Sequence, residues 1–380
     1  MKIAILCSNN LSLKQNTQKG TEIIVWSYLH EIAKNLQHKD IKITAFASGD
    51  SDVPVEIQSI AHKPSSANPH ISSSGKHIIY ELALISKAFT MQDEFDLYHV
   101  HIGDGDIVLP FAPFVKKPIL ITMYHPANIR YADHYYNLFH KYNNLHFVTP
   151  TKTQQIRFPT LSYAGIIPHG VDETLFTFNP TGGEKMIWAG RAVPDKGMDT
   201  VLKIAHQTKK AAHLFGILKK PYENWLTNIL SEYDKDKHIS IKLGKKRLEL
   251  IKYFQNSKLF LFPIRWEEPF GLVLVEALAC GTPIVAYAKG SIPEIVKDGK
   301  TGFIVNSSDE DIRGNWVIKK TGLEGLKEAV ERIYSMPEKE YKNMRQECRN
   351  HIEKNFTVKH MVHAYEKIYR KILTMNKKIE

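Results

Sequence analysis

Cysteine is scarce in this sequence: Cys7, Cys280 and Cys348 are all that a chain of 380 residues contains. They lie far apart and form no C-x-x-C pair, which argues against a disulfide framework and against a cysteine zinc site. A reducing cytoplasm fits. Long hydrophobic runs are lacking as well. No apolar stretch approaches the roughly 20 residues that a membrane-spanning helix requires. The N-terminal MKIAILCSNN has an apolar core too short for a signal peptide and reads as a first β-strand. Short-period repeats and low-complexity tracts are also absent.

What is present is globular: 43% of residues are hydrophobic and 24% charged. The length exceeds one ordinary core, so two domains are expected. Acidic residues are in deficit, giving a formal net charge of +11. The excess is uneven, because residues 1–172 hold 15 Lys and Arg against 14 Asp and Glu, whereas residues 173–380 hold 36 against 26. Such a balance suits a phosphate-bearing ligand, nucleic acid or an anionic membrane surface. Runs such as KKAAH and MNKKIE read as solvated surface.

Short β-rich runs alternate with helical patterns. KIAILCS, IKITAFAS, FDLYHVHI, PILITMY and LHFVTP are strand candidates, separated in places by helical spacing such as EIIVWSYLHEIAKNL. Pro, Gly, Asp and Asn cluster in IIPHGVDETLFTFNPTGGEK, and a second series begins at MIWAGR and continues through AHLFGIL, HISIKLG, KLFLFPI, TPIVAYA and GFIV. The expectation is an α/β protein of two doubly wound Rossmann-like domains facing across a cleft, with ligands at the carboxyl ends of the strands. The predicted boundaries are 1–172 and 173–355, followed by a C-terminal helix over 356–380 that crosses back to the first domain.

Chemistry concentrates at strand ends of the second series. WAGRAVPDKG supplies Arg191 and Lys196 on a Gly-flanked loop ahead of a helix, an arrangement that favours an anion. After the strand LFLFPI comes WEEPFGLVLVEALACG. A helix predicted from near Gly271 frees backbone N–H groups around Phe270, Gly271 and Leu272 for a phosphate. Glu268 precedes that helix and Glu276 sits on its second turn, so both carboxylates can reach one ligand lying over the helix N-terminus. A carboxylate accepts hydrogen bonds from two neighbouring hydroxyls, which is what ribose and hexose diols offer. The structural alternative for Glu276 is a buried acid paired to a lysine.

Together GRAVPDKG, EEPFGLVLVEALACGTPIVA and GSIPEIVKDGKTGFIV resemble the G-R-x-x-x-x-K-G and E-x7-E elements of the retaining glycosyltransferases of glycosyltransferase family 4, which have the GT-B fold. KGTEIIVWSYLHEIAK is similar to the family's N-terminal glycine loop and first helix, and IPHGVD to its interdomain turn. His169 stands where that turn usually has Asn, and Lys19 where the loop usually has a first Gly. The resemblance implies that Arg191 and Lys196 bind the donor diphosphate, completed by the backbone of Phe270, Gly271, Leu272 and Val273. It further implies that Glu276 binds the ribose, that Glu268 binds the transferred sugar, and that Gly244 and Lys245 lie at the nucleobase. Gly20 and His125 match positions near the reacting sugar. The implied donor is a UDP- or GDP-linked sugar, used without a cofactor or metal, and the acceptor is an unidentified hydroxyl on a small soluble molecule or a glycan.

Other clusters read more plainly. His99 and His101 share a strand face, with Asp104 and Asp106 beyond, but a zinc site needs a third fixed ligand and a shaped shell, so the pair is expected to line the cleft. Thr149 or Thr151 is a candidate N-cap. An epimerase or hydrolase acting on a sugar nucleotide is an alternative on the same fold. A nucleic-acid-binding protein is a more distant one, because no basic stripe with interleaved aromatics accompanies the charge. Peripheral membrane contact stays open.

Overall fold

The computed structural model describes residues 1–35, 40–124 and 132–376. The chain divides into two compact units, one formed by Met1–Gly170 with Val358–Glu380 and the other by Val171–Thr357. Among the described residues no helix is long and apolar enough to cross a membrane.

The first unit is built on β1 (Lys2–Cys7), β2 (Lys42–Phe46), β3 (Glu56–Gln58), β4 (Leu97–His101), β5 (Ile119–Thr122), β6 (Leu145–Thr149) and β7 (Tyr163–Ile166). They form one parallel sheet in the order β3-β2-β1-β4-β5-β6-β7. Helices cover both faces, so β1 and β4 are buried along almost their whole length, and β1 shows no polar alternation. The edge strands β3, EIQ, and β7, YAGI, escape the sequence reading because both are short and only partly buried. The helix Val358–Asn376 lies against the helix Gly20–Asn35. Its apolar positions recur at helical spacing, and Met361, Val362, Tyr365, Ile368, Tyr369 and Ile372 are buried.

The second unit carries β8 (Lys185–Arg191), β9 (Ala212–Ile217), β10 (Ile239–Leu243), β11 (Ser257–Phe262), β12 (Ile284–Tyr287) and β13 (Gly302–Val305). They are parallel, in the order β10-β9-β8-β11-β12-β13. Alternate residues of β8 feed different cores. Met186 and Trp188 join the helices Met198–Thr208 and Gly322–Tyr334, whereas Ile187 and Ala189 join the helices Leu272–Ala279 and Glu338–Asn355. The unit is closed where it begins and ends, since Val171 N–H donates to the Phe356 carbonyl at 2.8 Å and Val171 bridges Thr357.

Arg345 anchors the helix Glu338–Asn355. It is wholly buried, and its guanidinium donates to the carbonyls of Asn179, Ser257, Gln255 and Cys280 and to the Tyr341 hydroxyl, at 2.8 to 3.2 Å. Arg349, one turn on, donates to the carbonyls of Glu173, Phe176 and Ala279. Thus two cations meet the C-terminal carbonyls of the helix Leu272–Ala279, where the macrodipole favours positive charge.

Candidate active site

The strand order of the second unit reverses between β8 and β11, and open α/β sheets bind ligands at such a point. β8 ends at Arg191, and a 3-10 turn over Pro194–Lys196 leads to Gly197. Gly197 has φ +71°, and a Cβ there would stand 2.2 Å from the Pro263 carbonyl oxygen. Glycine therefore lets this loop press against the segment that follows β11. Arg265 fastens the two together by donating to the Pro194 carbonyl at 3.1 Å and to Asp199 at 2.6 Å.

Three of the expected donor residues meet around Trp266. Lys196 Nζ donates to Glu268 Oε2 at 2.5 Å, and Trp266 Nε1 donates to the same oxygen at 2.9 Å. The Lys196 ammonium lies 4.3 Å from the Trp266 ring centre and the Arg191 guanidinium 5.1 Å from it. Lys196 and Glu268 are each 9% exposed, so the pair is largely desolvated. Burial draws the Lys196 ammonium below the ordinary lysine range, and Glu268 opposes that shift.

The helix following Glu268 runs Leu272–Ala279, with Gly271 as its N-cap at φ +83° and no side-chain cap. A Cβ on Gly271 would come within 2.8 Å of Leu274 and 3.3 Å of Glu268 Cγ, so glycine admits the acid beside the helix start. The loop is fixed from behind. Ser291 N–H donates to the Glu268 carbonyl at 2.8 Å, Ser291 Oγ to the Phe270 carbonyl at 2.7 Å, and Arg313 grips Glu267 with two 2.7 Å bonds. Leu272 and Val273 open the helix, half-buried, with N–H groups in its first turn.

Glu276 lies on the second turn, 4% exposed, and its partner is an arginine rather than a lysine. Arg247 Nε donates to its Oε1 at 2.5 Å while the guanidinium lies 4.9 Å from the Phe176 ring centre. Burial raises the Glu276 pKa and Arg247 works against that rise. Sequence reasoning missed Arg247, although the run GKKR at a strand end held the signal: a buried acid needs a cation, and a third basic residue was at hand. Gly244 and Lys245 precede it at the end of β10. Gly244 N–H donates to the Gly216 carbonyl at 2.9 Å, and Lys245 pairs on the surface with Glu249 at 2.6 Å.

In the first unit Gly20 begins the helix Gly20–Asn35, and His125 lies outside the described residues. His99 and His101 do not line an open surface: both are buried, at 0% and 1% exposure. His99 contacts the Tyr369 hydroxyl at 2.7 Å and Thr122 Oγ1 at 2.8 Å, and His101 hydrogen-bonds Tyr124. Tyrosines of the returning helix fill the space that the sequence left open. Burial, then the neighbouring His169, lowers His101 to about 3, and burial likewise lowers His169 to about 3. Asp104 accepts from Tyr124 N–H at 2.6 Å and Asp106 from Ile107 N–H at 3.0 Å. Among the described residues no group of three or more His, Cys, Asp or Glu is arranged to hold a metal ion. Thr151 takes the N-cap position of the helix Lys152–Arg157 without a side-chain capping bond, while the Thr149 hydroxyl donates to the Thr151 carbonyl at 3.0 Å.

Residues 175–351 match the family described as glycosyl transferases group 1. A GDP-mannose-dependent alpha-(1-6)-phosphatidylinositol monomannoside mannosyltransferase of Mycolicibacterium smegmatis is 29% identical over 166 residues, 38% of this chain and 44% of that protein. A D-inositol 3-phosphate glycosyltransferase of Mycobacterium leprae is 33% identical over 132 residues, 33% of this chain and 30% of that protein. The chain thus spans less than half the length of these curated relatives. Among solved structures, sucrose-phosphate synthase from Thermosynechococcus elongatus superposes with a TM-score of 0.74 at 16% identity, over 98% of this chain and 99% of that one. Anabaena HepE, in complex with UDP and glucose, gives 0.69 at 16%, over 98% and 100%. The matched residues make up all but the margins of Val171–Thr357, so the second unit belongs to the glycosyl transferases group 1 family, and the chain has the two Rossmann-like sheets of the GT-B fold.

Proposed function

We propose that the chain is a retaining, metal-independent hexosyltransferase that moves a sugar from a UDP- or GDP-linked donor to a hydroxyl of a small soluble molecule or a glycan. The observation that carries this reading is the buried Lys196–Glu268 pair, with Arg191 across Trp266 and the uncapped helix start at Gly271 beside it. Arg191, Lys196 and the backbone from Phe270 to Val273 take the diphosphate. Negative charge grows there as the glycosidic bond breaks, and groups fixed in advance stabilise that charge without reorganising. Lys196 and Trp266 both bond Oε2 of Glu268, which leaves Oε1 to accept from hydroxyls of the transferred sugar. Glu276, oriented by Arg247, accepts from the ribose diol, and Gly244 and Lys245 border the nucleobase. Gly20 and His125 belong to the acceptor side.

The relatives named for GDP-mannose dependence and solved with UDP support a nucleotide-sugar donor. Nucleic acid is not a partner in this reading, because Glu268 and Glu276 would repel a phosphate backbone, and the cytoplasm is the setting. The test is a thermal-shift panel of nucleoside diphosphate sugars, since a ligand that binds only the native state raises the melting temperature. The donor that shifts it is then assayed for transfer in excess EDTA. Absence of any shift overturns the donor site, and activity lost in EDTA but restored by a divalent ion overturns metal independence.

A further inference from the structure

GSIPEIVKDGKTGFIV ends with β13, and the stretch that follows, NSSDEDIRGNWVIKKT, has no part yet in the site. It joins β13 to the helix Gly322–Tyr334 as turns and irregular chain over residues 306–321. Connections this long without regular structure are uncommon in a compact domain and usually carry function. This one is tied back on itself and on its surroundings. Asn306 Oδ1 accepts from Arg313 N–H at 2.9 Å and from Trp316 Nε1 at 3.0 Å, and its Nδ2 donates to the Gly314 carbonyl at 3.0 Å. Val317 N–H donates to Asp298 Oδ2 at 2.5 Å. The backbone at Arg313 is thereby held to the end of β13.

From there its side chain reaches the segment after β11. Nη1 and Nη2 donate to the two oxygens of Glu267 and Nε donates to Asp311 Oδ1, each at 2.7 Å. Asp311 Oδ2 accepts from Lys289 Nζ and from Ser307 Oγ, both at 2.5 Å. Glu267 Oε2 also accepts from Gly290 N–H at 2.7 Å. Gly290 has φ +54°, and a Cβ there would stand 2.2 Å from the Glu268 carbonyl oxygen and 2.4 Å from the Glu268 nitrogen. The turn that Glu267 grips is therefore pressed against the main chain of Glu268. Consecutive carboxylates thus have separate cations: Arg313 holds Glu267 and Lys196 holds Glu268. An isolated ion pair with side chains 32% and 36% exposed would stabilise little, but a bidentate fork within a network of charges is the exception.

We propose that Arg313 is a positioning residue for the transferred sugar: acting through Glu267 and Gly290, it fixes the Glu268 carboxylate where the sugar's hydroxyls meet it. This rests on the transferase reading above, in which Glu268 binds the sugar while Arg191 and Lys196 bind the diphosphate. Arg313 consequently sets the discrimination between a sugar nucleotide and the bare nucleotide, because only the former needs Glu268 in register. Misplacement by about 1 Å can cost such a contact about a hundredfold. The alternative is a staple that stabilises the loop and leaves ligand preference alone.

Isothermal titration calorimetry on the full chain separates the two, with UDP, GDP and their hexose- and N-acetylhexosamine-linked forms as probes. The quantity read is the Kd of a sugar nucleotide divided by that of its bare nucleotide. Arg313→Gln and Glu267→Gln should each raise this ratio about tenfold, while the bare nucleotide binds within about twofold of wild type. Arg313→Lys keeps the charge but not the fork, so it should raise the ratio too. Arg313→Gln/Glu267→Gln should do no worse than either single variant, since the two side chains act as one unit. A ratio unchanged in the single variants, or sugar nucleotide and bare nucleotide weakened equally, leaves only the staple and overturns the proposal. So does a wild type that binds a bare nucleotide but none of the sugar-linked forms. Wild type that binds neither UDP nor GDP would instead defeat the transferase reading. Should Arg313→Gln fail to fold, Arg313→Lys and Glu267→Gln decide.

Discussion

Lys196 and Glu268 neutralise each other across 2.5 Å, beside a Trp266 ring that also carries the guanidinium of Arg191. Removing one member leaves the other buried and uncompensated, which typically costs about 3–5 kcal/mol, whereas removing both costs much less. Lys196→Met should therefore lower the melting temperature more than Lys196→Met/Glu268→Gln does. Calorimetry of the two variants checks this; equal losses would mean that the pair is not coupled. In transfer assays Lys196→Ala should lower kcat by about a hundredfold or more, as expected for a preorganised group that meets developing charge.

Glu276 should behave differently, because ribose hydroxyls do not change as the bond breaks. Glu276→Ala is expected to act mainly through KM for the donor. Arg247→Met should raise the same KM while leaving a buried carboxylate unpaired, and Arg247→Met/Glu276→Gln should recover part of the lost stability. A kcat effect without a KM effect in Glu276→Ala would remove the ribose assignment.

Acid should weaken the first unit at pH values well above those that titrate its carboxylates. His101 and His169 titrate near 3 in the native protein against 6.5 when exposed, so the unfolded chain binds the extra protons. Their neutral burial is fully tolerated above pH 6.5, and stability falls as the pH drops from there towards 3. At pH 5 each contributes about 2 kcal/mol of loss relative to pH 7. Urea unfolding at the two pH values should show it, and His169→Asn should shrink the difference by about one histidine's share. An unchanged difference in that variant would refute the assignment to His169.

Arg345 makes the strongest stability claim in the second unit. Its bonds to four carbonyls and a hydroxyl use the planar fork of the guanidinium, which an ammonium cannot reproduce. Arg345→Lys should cost about 3 kcal/mol or more, from carbonyls left without donors. Differential scanning calorimetry is the direct check, and a loss below about 1 kcal/mol would show that water can take the guanidinium's place.

The second unit was more legible in the sequence than the first. Five of its six strands are largely buried apolar runs, β10 at the sheet edge being only partly buried, and the segments after them carry Arg191, Lys196, Glu268 and Glu276 at readable spacings. What could not be read was pairing over long separations: nothing local says that Lys196 finds Glu268 or that Arg247 finds Glu276. In the first unit the same limit hid more. His99 and His101 share a strand face as period-two geometry requires, but their burial depends on Tyr365 and Tyr369, more than 260 residues later. Edge strands β3 and β7 lack the apolar runs that mark the others, so they were invisible to periodicity.

Because Val171 is bonded to Phe356 and Thr357, the second unit is in effect an insertion with its two ends tied together. On the ribosome the order of completion is consequently inverted. The first unit begins synthesis but stays unfinished, with His99 and Thr122 waiting for Tyr369 and Tyr365, until the helix Val358–Asn376 emerges. The inserted unit has every strand and both arginine anchors by Thr357, so it can mature while its host is still open. A fragment of residues 171–357 should then fold cooperatively by itself, whereas residues 1–170 should not until a peptide carrying residues 358–376 is added, which circular dichroism and proteolysis would detect.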